Sequence, residues 1–403
     1  MMLFIKWIKL KTAALYSRLK HYILLLLSLT IRCFSKVKKG RVLLWSTVGK
    51  DYSCNPLCIS DYLLNNESGK YEVCWLFRET VDTSHVDKRV KKIRFGSLMH
   101  LYYINTAEFL ITNHRSPADT LYWYKRSGQK YVMTWHGSMP LKKIEKDAID
   151  SLQKSYIKDA KEDSNKCDLM LSDSKWYSDL IRRSFWYDGD ILEEGMPRND
   201  IFYNKSVHPQ IKEKVVSALG IKDIESKFLV MYAPTFRTNH KTGLYLTQWS
   251  FLKDVIKKRY NKSLVVLLRL HPTLLQLVNT DELITEDFVV NASVYHDMQE
   301  LMIASDMLIT DYSSTMFEFA LLNKPCLLYT PDLTEYDRGF YFSINDLPFP
   351  VAETPNALHH QIECFDDQHY NKTVSEFLNT TFHVLGNGKA AKEFVKWMKS
   401  CNN

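Results

Sequence analysis

The feature that most restricts the fold is a repeated alternation, in which a short apolar run is followed by a polar stretch of helix length and then by another apolar run. In the first half the runs are Arg41–Trp45, Tyr71–Phe77, Phe109–Thr112, Tyr131–Trp135 and Leu169–Ser172. In the second they are Lys227–Tyr232, Leu264–Leu270, Phe288–Val290, Met307–Thr310 and Cys326–Tyr329. Such runs suit strands covered on both faces, and helix-length connections return the chain to the same end of the sheet. Each series therefore predicts a parallel sheet with helices on both sides. At 403 residues the chain exceeds one ordinary core and suits two. The expectation is an α/β protein of two similar halves, with a cleft at the carboxyl ends of the strands. The boundaries expected are a basic segment over 1–39, a first domain over 40–204 and a second over 205–403, the halves being joined by residues 204–227.

Charge is unevenly placed. Residues 1–40 carry nine of the 53 Lys/Arg and none of the 46 Asp/Glu, leaving a body of 44 basic and 46 acidic residues that is close to neutral. This argues against a nucleic-acid surface spread over the fold. The longest apolar stretch, Tyr22 to Ile31, is too short to span a bilayer. It has the length of a signal-peptide core, but Arg32, Lys36, Lys38 and Lys39 follow where small residues would mark cleavage. Upstream, Leu3, Phe4, Trp7, Ile8 and Leu10 alternate with Lys6, Lys9 and Lys11. The segment reads as a helix lying on anionic lipid or as an ordinary packing helix, and the charge bias favours the first. The eight cysteines show neither zinc spacing nor a disulfide framework, so a reducing compartment is expected.

The polar residues of interest follow the strand-like runs. His136, after Trp135 and before Gly137, reads as a general base projecting into the cleft or as a loop histidine capping a carbonyl, with Gly137 permitting the turn. Arg269 and His271 alternate to one side of a strand end, so they meet a common anion, or Arg269 makes a structural pair with a carboxylate. Asp311, Ser313, Ser314 and Thr315 lie at a strand-to-helix turn. Small hydroxyl residues there hold a diphosphate at the helix N-terminus or simply cap it, and Glu318 sits one turn on, in reach of a ribose. Arg198, Arg237 and Arg338 stand in three further Gly- or Pro-shaped segments, as solvated turns singly or as an anion-binding set together. No GxxxxGK[ST] or GxGxxG motif occurs, and no carboxylate cluster suggests a metal.

Taken in order, these segments resemble the CDP-glycerol glycerophosphotransferase family, which includes teichoic-acid primases and polymerases. The resemblance runs from about Gly40 to the C-terminus. It is carried by Ser46–Gly49, Asn55-Pro56, Asn105–Asn113, Trp135–Gly137 with Pro140–Lys143, and Gly195–Arg198 with Asp200. Tyr232–Arg237, Arg269 with His271-Pro272, Ser305-Asp306, Thr310–Ser314, Phe317-Glu318, Lys324-Pro325, Arg338-Gly339 and Gly386–Ala390 continue it. It implies a GT-B arrangement of two Rossmann-like domains, the second binding the donor, and metal-independent transfer of glycerol phosphate from CDP-glycerol to a lipid-linked or polymeric acceptor. No cofactor and no nucleic acid are expected. The implied catalytic pair is His136 and His271. The implied donor site is Arg269, Asp311, Ser313, Ser314, Glu318, Arg237 and Arg338, with Gly137, Arg198 and Lys142 on the acceptor side or its loops. Asn387 stands where the family has Asp. The short chain is similar to the primase-like members, at the cytoplasmic membrane face. A nucleotide-sugar glycosyltransferase of the same fold and a non-catalytic polymer- or membrane-binding relative are the alternatives.

Overall fold

A computed structural model describes residues 19–116, 122–235, 249–270, 284, 286–335 and 339–401. His271, Arg237, Arg338 and the amphipathic pattern before Leu19 lie outside the described residues.

The first half forms a seven-stranded parallel sheet of order β3-β2-β1-β4-β5-β6-β7, with β1 at Lys38–Trp45, β2 at Glu72–Phe77, β3 at Lys91–Arg94, β4 at Ala107–Thr112, β5 at Lys130–Met133, β6 at Leu169–Leu171 and β7 at Asp190–Leu192. Alternate residues of β1 enter two cores: Val42 and Leu44 join one face, Leu43 and Trp45 the other. That double burial is why the run is apolar at every position. The second half forms a six-stranded parallel sheet, β10-β9-β8-β11-β12-β13. Its strands are β8 Lys227–Ala233, β9 Ser263–Leu268, β10 Val289–Asn291, β11 Met307–Thr310, β12 Cys326–Tyr329 and β13 Val351–Ala352. In both sheets the strand order reverses beside the first strand, which opens a crevice at the carboxyl ends.

Three strands carry no strong apolar signal. β3 and β7 are the outer strands of the first sheet and β13 an outer strand of the second, and each is short or half exposed. The joining segment 204–227 is largely the helix His208–Ala218, whose Ile211, Val215 and Val216 pack into the second core. The second domain does not run on to residue 403 as expected. The terminal helix Ala390–Ser400 returns to the first domain, where Phe394, Val395 and Met398 complete a core face. Asp200 fastens this return by accepting hydrogen bonds at 2.9 Å from the amides of Ala390 and Ala391. Gly195, at φ 99°, makes room for it, since a Cβ there would stand 3.0 Å from the Cα of Gly386.

Residues 19–34 form a helix against the first domain. Ser28 Oγ accepts from Asn105 Nδ2 at 2.7 Å, and Arg32 donates to the carbonyl of Tyr124 at 2.6 Å. Its outward side carries Leu19, Tyr22, Ile23, Leu26, Leu27 and Leu29, all exposed. Among the described residues no helix is long and apolar enough to cross a membrane.

Candidate active site

The two sheets face one another across a cleft of about 640 Å³. His136, Gly137, Lys142 and Arg198 line it from the first domain, and Arg269, Ser313, Ser314 and Glu318 from the second. His136 and Glu318, 182 positions apart in the sequence, are thus brought to one hollow.

His136 follows β5. The turn that aims it is made by Trp135, whose φ of 55° is left-handed, rather than by Gly137. Gly137 lines the cleft at a point where a Cβ would meet nothing within 4 Å, so packing there does not demand glycine. The Nδ1–H of His136 donates to the carbonyl oxygen of Asn113 at 3.0 Å. A carbonyl only accepts, so this contact fixes the proton on Nδ1 and leaves the Nε2 lone pair available. The capping role and the base role are therefore compatible. The ring stacks on His114 at 4.1 Å and 9°, and on Trp135 at 4.6 Å. One edge of His136 is open to the cleft while protein crowds the rest. That crowding, with His114 and Arg198 nearby, lowers its pKa well below the ordinary histidine value. Burial lowers His114 to about 4, helped by Lys50. Both rings are neutral near pH 7.

His114 was not singled out in the sequence, and Asn113 entered only as the end of the Asn105–Asn113 segment. Asn113 Oδ1 lies 3.0 Å from His114 Nδ1 and accepts from the amide of Thr47 at 3.0 Å. It ties the β4 turn to the loop after β1, where Thr47 and Val48 are left-handed. For His114 the signal available was position alone, directly after an apolar run and Asn113.

Arg198 crosses the cleft floor to Glu318, with side chains 14% and 6% exposed. Its Nη1 lies 3.4 Å from Cys54 Sγ, and its own amide donates to Asn55 Oδ1 at 3.1 Å. Glu318 also accepts from Gln299 Nε2 at 3.2 Å. Glu318, expected within reach of a ribose, thus already accepts one protein hydrogen bond at each oxygen, and the one from Arg198 joins the domains. Arg269 likewise has a scaffolding share. Its Nη1 donates to the carbonyls of Ala292, Ser293 and Tyr295 at 3.1, 2.9 and 2.6 Å, where a carboxylate partner was the structural alternative.

Asp311 lies below the cleft surface, 3% exposed, and both its oxygens are 3.0 Å from the amide of Thr235. It pins the β8 and β11 turns together from beneath the cleft surface. Ser313 Oγ donates to Thr315 Oγ1 at 2.8 Å. Ser314 Oγ accepts from the amide of Leu141 at 3.3 Å and makes no side-chain cap to its own helix, Thr315–Ala320. The loop after His136 is further stitched to the second domain by Lys143, whose amide donates to Gly339 O at 2.9 Å, and by Tyr341, whose amide donates to Leu141 O at 2.8 Å. Cleft geometry is therefore set by both domains jointly.

Two doubly wound domains with a histidine at one strand end and arginines opposite define a GT-B-type transferase. The solved structure of the wall teichoic acid polymerase TagF superposes with a TM-score of 0.79 at 27% identity, over 97% of this chain and 98% of that one. Residues 27–398 match the sequence model of the CDP-Glycerol:Poly(glycerophosphate) glycerophosphotransferase family, and the chain belongs to that family. It is 30% identical to a teichoic acid glycerol-phosphate transferase of Staphylococcus aureus, over 91% of this chain and 95% of the relative. It is also 30% identical to the teichoic acid poly(glycerol phosphate) polymerase of Staphylococcus epidermidis, over 88% of this chain but only 50% of the relative, so it spans about half that polymerase's length.

Proposed function

We propose that this chain transfers glycerol phosphate from CDP-glycerol to a hydroxyl of a lipid-linked or polymeric acceptor in teichoic acid synthesis, releasing CMP. The observation that carries the reading is the His136–Asn113 contact, which leaves an imidazole Nε2 beside open space in a cleft bearing Arg198, Arg269 and Lys142. The acceptor oxygen attacks the β-phosphorus in line, its proton passes to Nε2 of His136, and the bond from that phosphorus to the bridging oxygen breaks, with CMP leaving. Arg269, Ser313, Ser314 and His271, with Arg237 and Arg338, hold the diphosphate and balance the charge spreading over its oxygens. Glu318 and Asp311 act one layer back, by holding Arg198 and the β8 turn. The reading needs no metal, the cationic side chains taking that part.

The site of action we propose is an anionic membrane surface, met peripherally from the cytoplasmic side. The support is the residue 19–34 helix, which turns an apolar stripe outward within a segment rich in Lys/Arg. The deciding experiment is mass spectrometry of donor consumption across CDP-glycerol, CDP-ribitol and common nucleotide sugars. Release of CMP from CDP-glycerol alone is expected; turnover of a nucleotide sugar instead would overturn the reading.

A further inference from the structure

Behind the Arg198–Glu318 bridge lies a second hollow, of about 430 Å³. Arg198 and Gln299 line both hollows, so the bridge is a wall shared between this pocket and the cleft. Its sides come from three places: Asp61 on the helix Cys54–Asn66, Asp297 ahead of the helix Met298–Ala304, and Lys389 and Lys392 at the start of the terminal helix.

The charges here are unevenly satisfied. In the terminal helix Lys396 pairs with Glu393 and Lys399 with Glu67, both spent on the protein itself. Lys389 and Lys392, exposed at the pocket, form no ion pair among the described residues. Asp61, partly buried on the opposite side, forms neither an ion pair nor a hydrogen bond among them. The Gly386–Ala390 motif explains how the lysines are presented. Asn387 Oδ1 accepts from the amide of Lys389 at 3.1 Å, Gly388 takes φ 78° against Tyr203, and Asp200 caps the two amides that follow. An asparagine at 387 makes that turn without placing another anion beside the cations.

We propose that this pocket is an acceptor subsite, in which Lys389 and Lys392 hold a phosphodiester of the acceptor chain while Asp61 accepts a polyol hydroxyl. Two cations and a hydrogen-bond acceptor across a small hollow match a chain of alternating phosphates and hydroxyls, and match neither half alone. Arg198 and Gln299 line both hollows, so the pocket adjoins the cleft across the bridge, next to the units that follow the reacting one. The proposal rests on the glycerol-phosphate reading above and extends it to the units behind the reacting one.

The test uses the full chain and the Lys389→Ala/Lys392→Ala variant. Binding of an oligo(glycerol phosphate) of three units, measured without donor, should weaken about tenfold, and the Arg-for-Lys double replacement should restore it. The KM for that oligomer should rise in parallel, while the KM for CDP-glycerol and the use of a single-unit acceptor change less than about twofold. Inorganic phosphate should compete poorly, since it lacks the hydroxyl. Equal binding of the oligomer by both proteins overturns the subsite. If the wild type binds the oligomer but consumes no CDP-glycerol, loss of that binding in the variant still supports the subsite, and only the donor assignment falls.

Discussion

The Nδ1 of His136 stands 3.0 Å from the carbonyl oxygen of Asn113, and that contact determines which nitrogen of the ring can act as a base. Replacing His136 by Ala should reduce transfer about a hundred- to ten-thousandfold while leaving CDP-glycerol affinity nearly unchanged, because a base meets only the incoming hydroxyl. Single-turnover kinetics with equilibrium donor binding separates the two. His271→Ala, by contrast, should damage both, as befits a group that holds the diphosphate. The acidic limb of the wild-type pH–rate profile should lie below the ordinary histidine pKa, since crowding favours the neutral ring, and it should vanish in His136→Ala. A limb at an ordinary histidine pKa would mean that a different group is titrating.

Arg269→Ala should affect stability as well as donor use. The variant strands the carbonyls of Ala292, Ser293 and Tyr295, and each lost bond is worth about 0.5–1.5 kcal/mol. Chemical denaturation should show a loss of about 2–4 kcal/mol, alongside a raised KM for CDP-glycerol. Ser314→Ala, which loses only the bond from the Leu141 amide and a donor contact, should keep the wild-type midpoint. An unchanged midpoint for Arg269→Ala would remove its scaffolding role.

Glu318→Gln tests the bridge between the domains. The substitution leaves Arg198 charged and nearly buried without its partner, a change that commonly costs about 3–5 kcal/mol. Thermal melting should fall, and kcat should fall with it, because Arg198 also orders Asn55, whose Nδ2 donates to Trp135 O at 3.1 Å beside His136. Full activity at an unchanged melting temperature would sever this link between the bridge and the base.

How far the sequence anticipated these arrangements depends on what each residue does. Ten strands were legible because double burial demands apolar residues at every position, as in Val42–Trp45. β3, β7 and β13 were not, since outer strands such as Lys91–Arg94 keep polar side chains. The polar residues were legible as a set because strand ends bring them to one hollow. Their division into ligand-facing and scaffolding groups was hidden: the Asp311–Thr235, Arg269–carbonyl and Arg198–Glu318 contacts join segments far apart in the chain. Trp135 was misjudged beside Gly137, because a left-handed tryptophan violates the local preference that makes glycine the natural suspect.

Asp173 should make stability fall as pH rises from about 4 to 7. It is 2% exposed, its two oxygens have no hydrogen-bond partner among the described residues, and burial raises its pKa to about 7. In the unfolded chain the group ionises near pH 4, whereas the folded protein holds the proton to about pH 7. Between those limits the folded state binds more protons, so stability declines by up to about 1.4 kcal/mol per pH unit. Asp173→Asn should flatten this slope and raise the denaturation midpoint at pH 8. An unaltered slope would show that the carboxyl is satisfied by ordered water at every pH.

The helix over residues 19–34 supplies the last prediction. Its inner side is fixed by the Ser28–Asn105 and Arg32–Tyr124 contacts, while Tyr22 and Leu26 are each 66% exposed on the other side. A packing helix turns its apolar stripe to the core; this one turns it outward, in a segment that also carries Lys20, Lys36 and Lys39. The Tyr22→Glu/Leu26→Glu variant should therefore leave melting unchanged, since nothing in the fold is uncovered, yet release the protein from vesicles containing anionic lipid. Deletion of residues 1–39 should do the same while turnover of a soluble acceptor analogue is largely kept, and high salt should reproduce part of the release, because the attraction of the basic residues is screened within about 10 Å at 0.1 M. Sedimentation with vesicles reads the outcome. Undiminished vesicle binding by the double variant would place the anchoring surface elsewhere on the molecule.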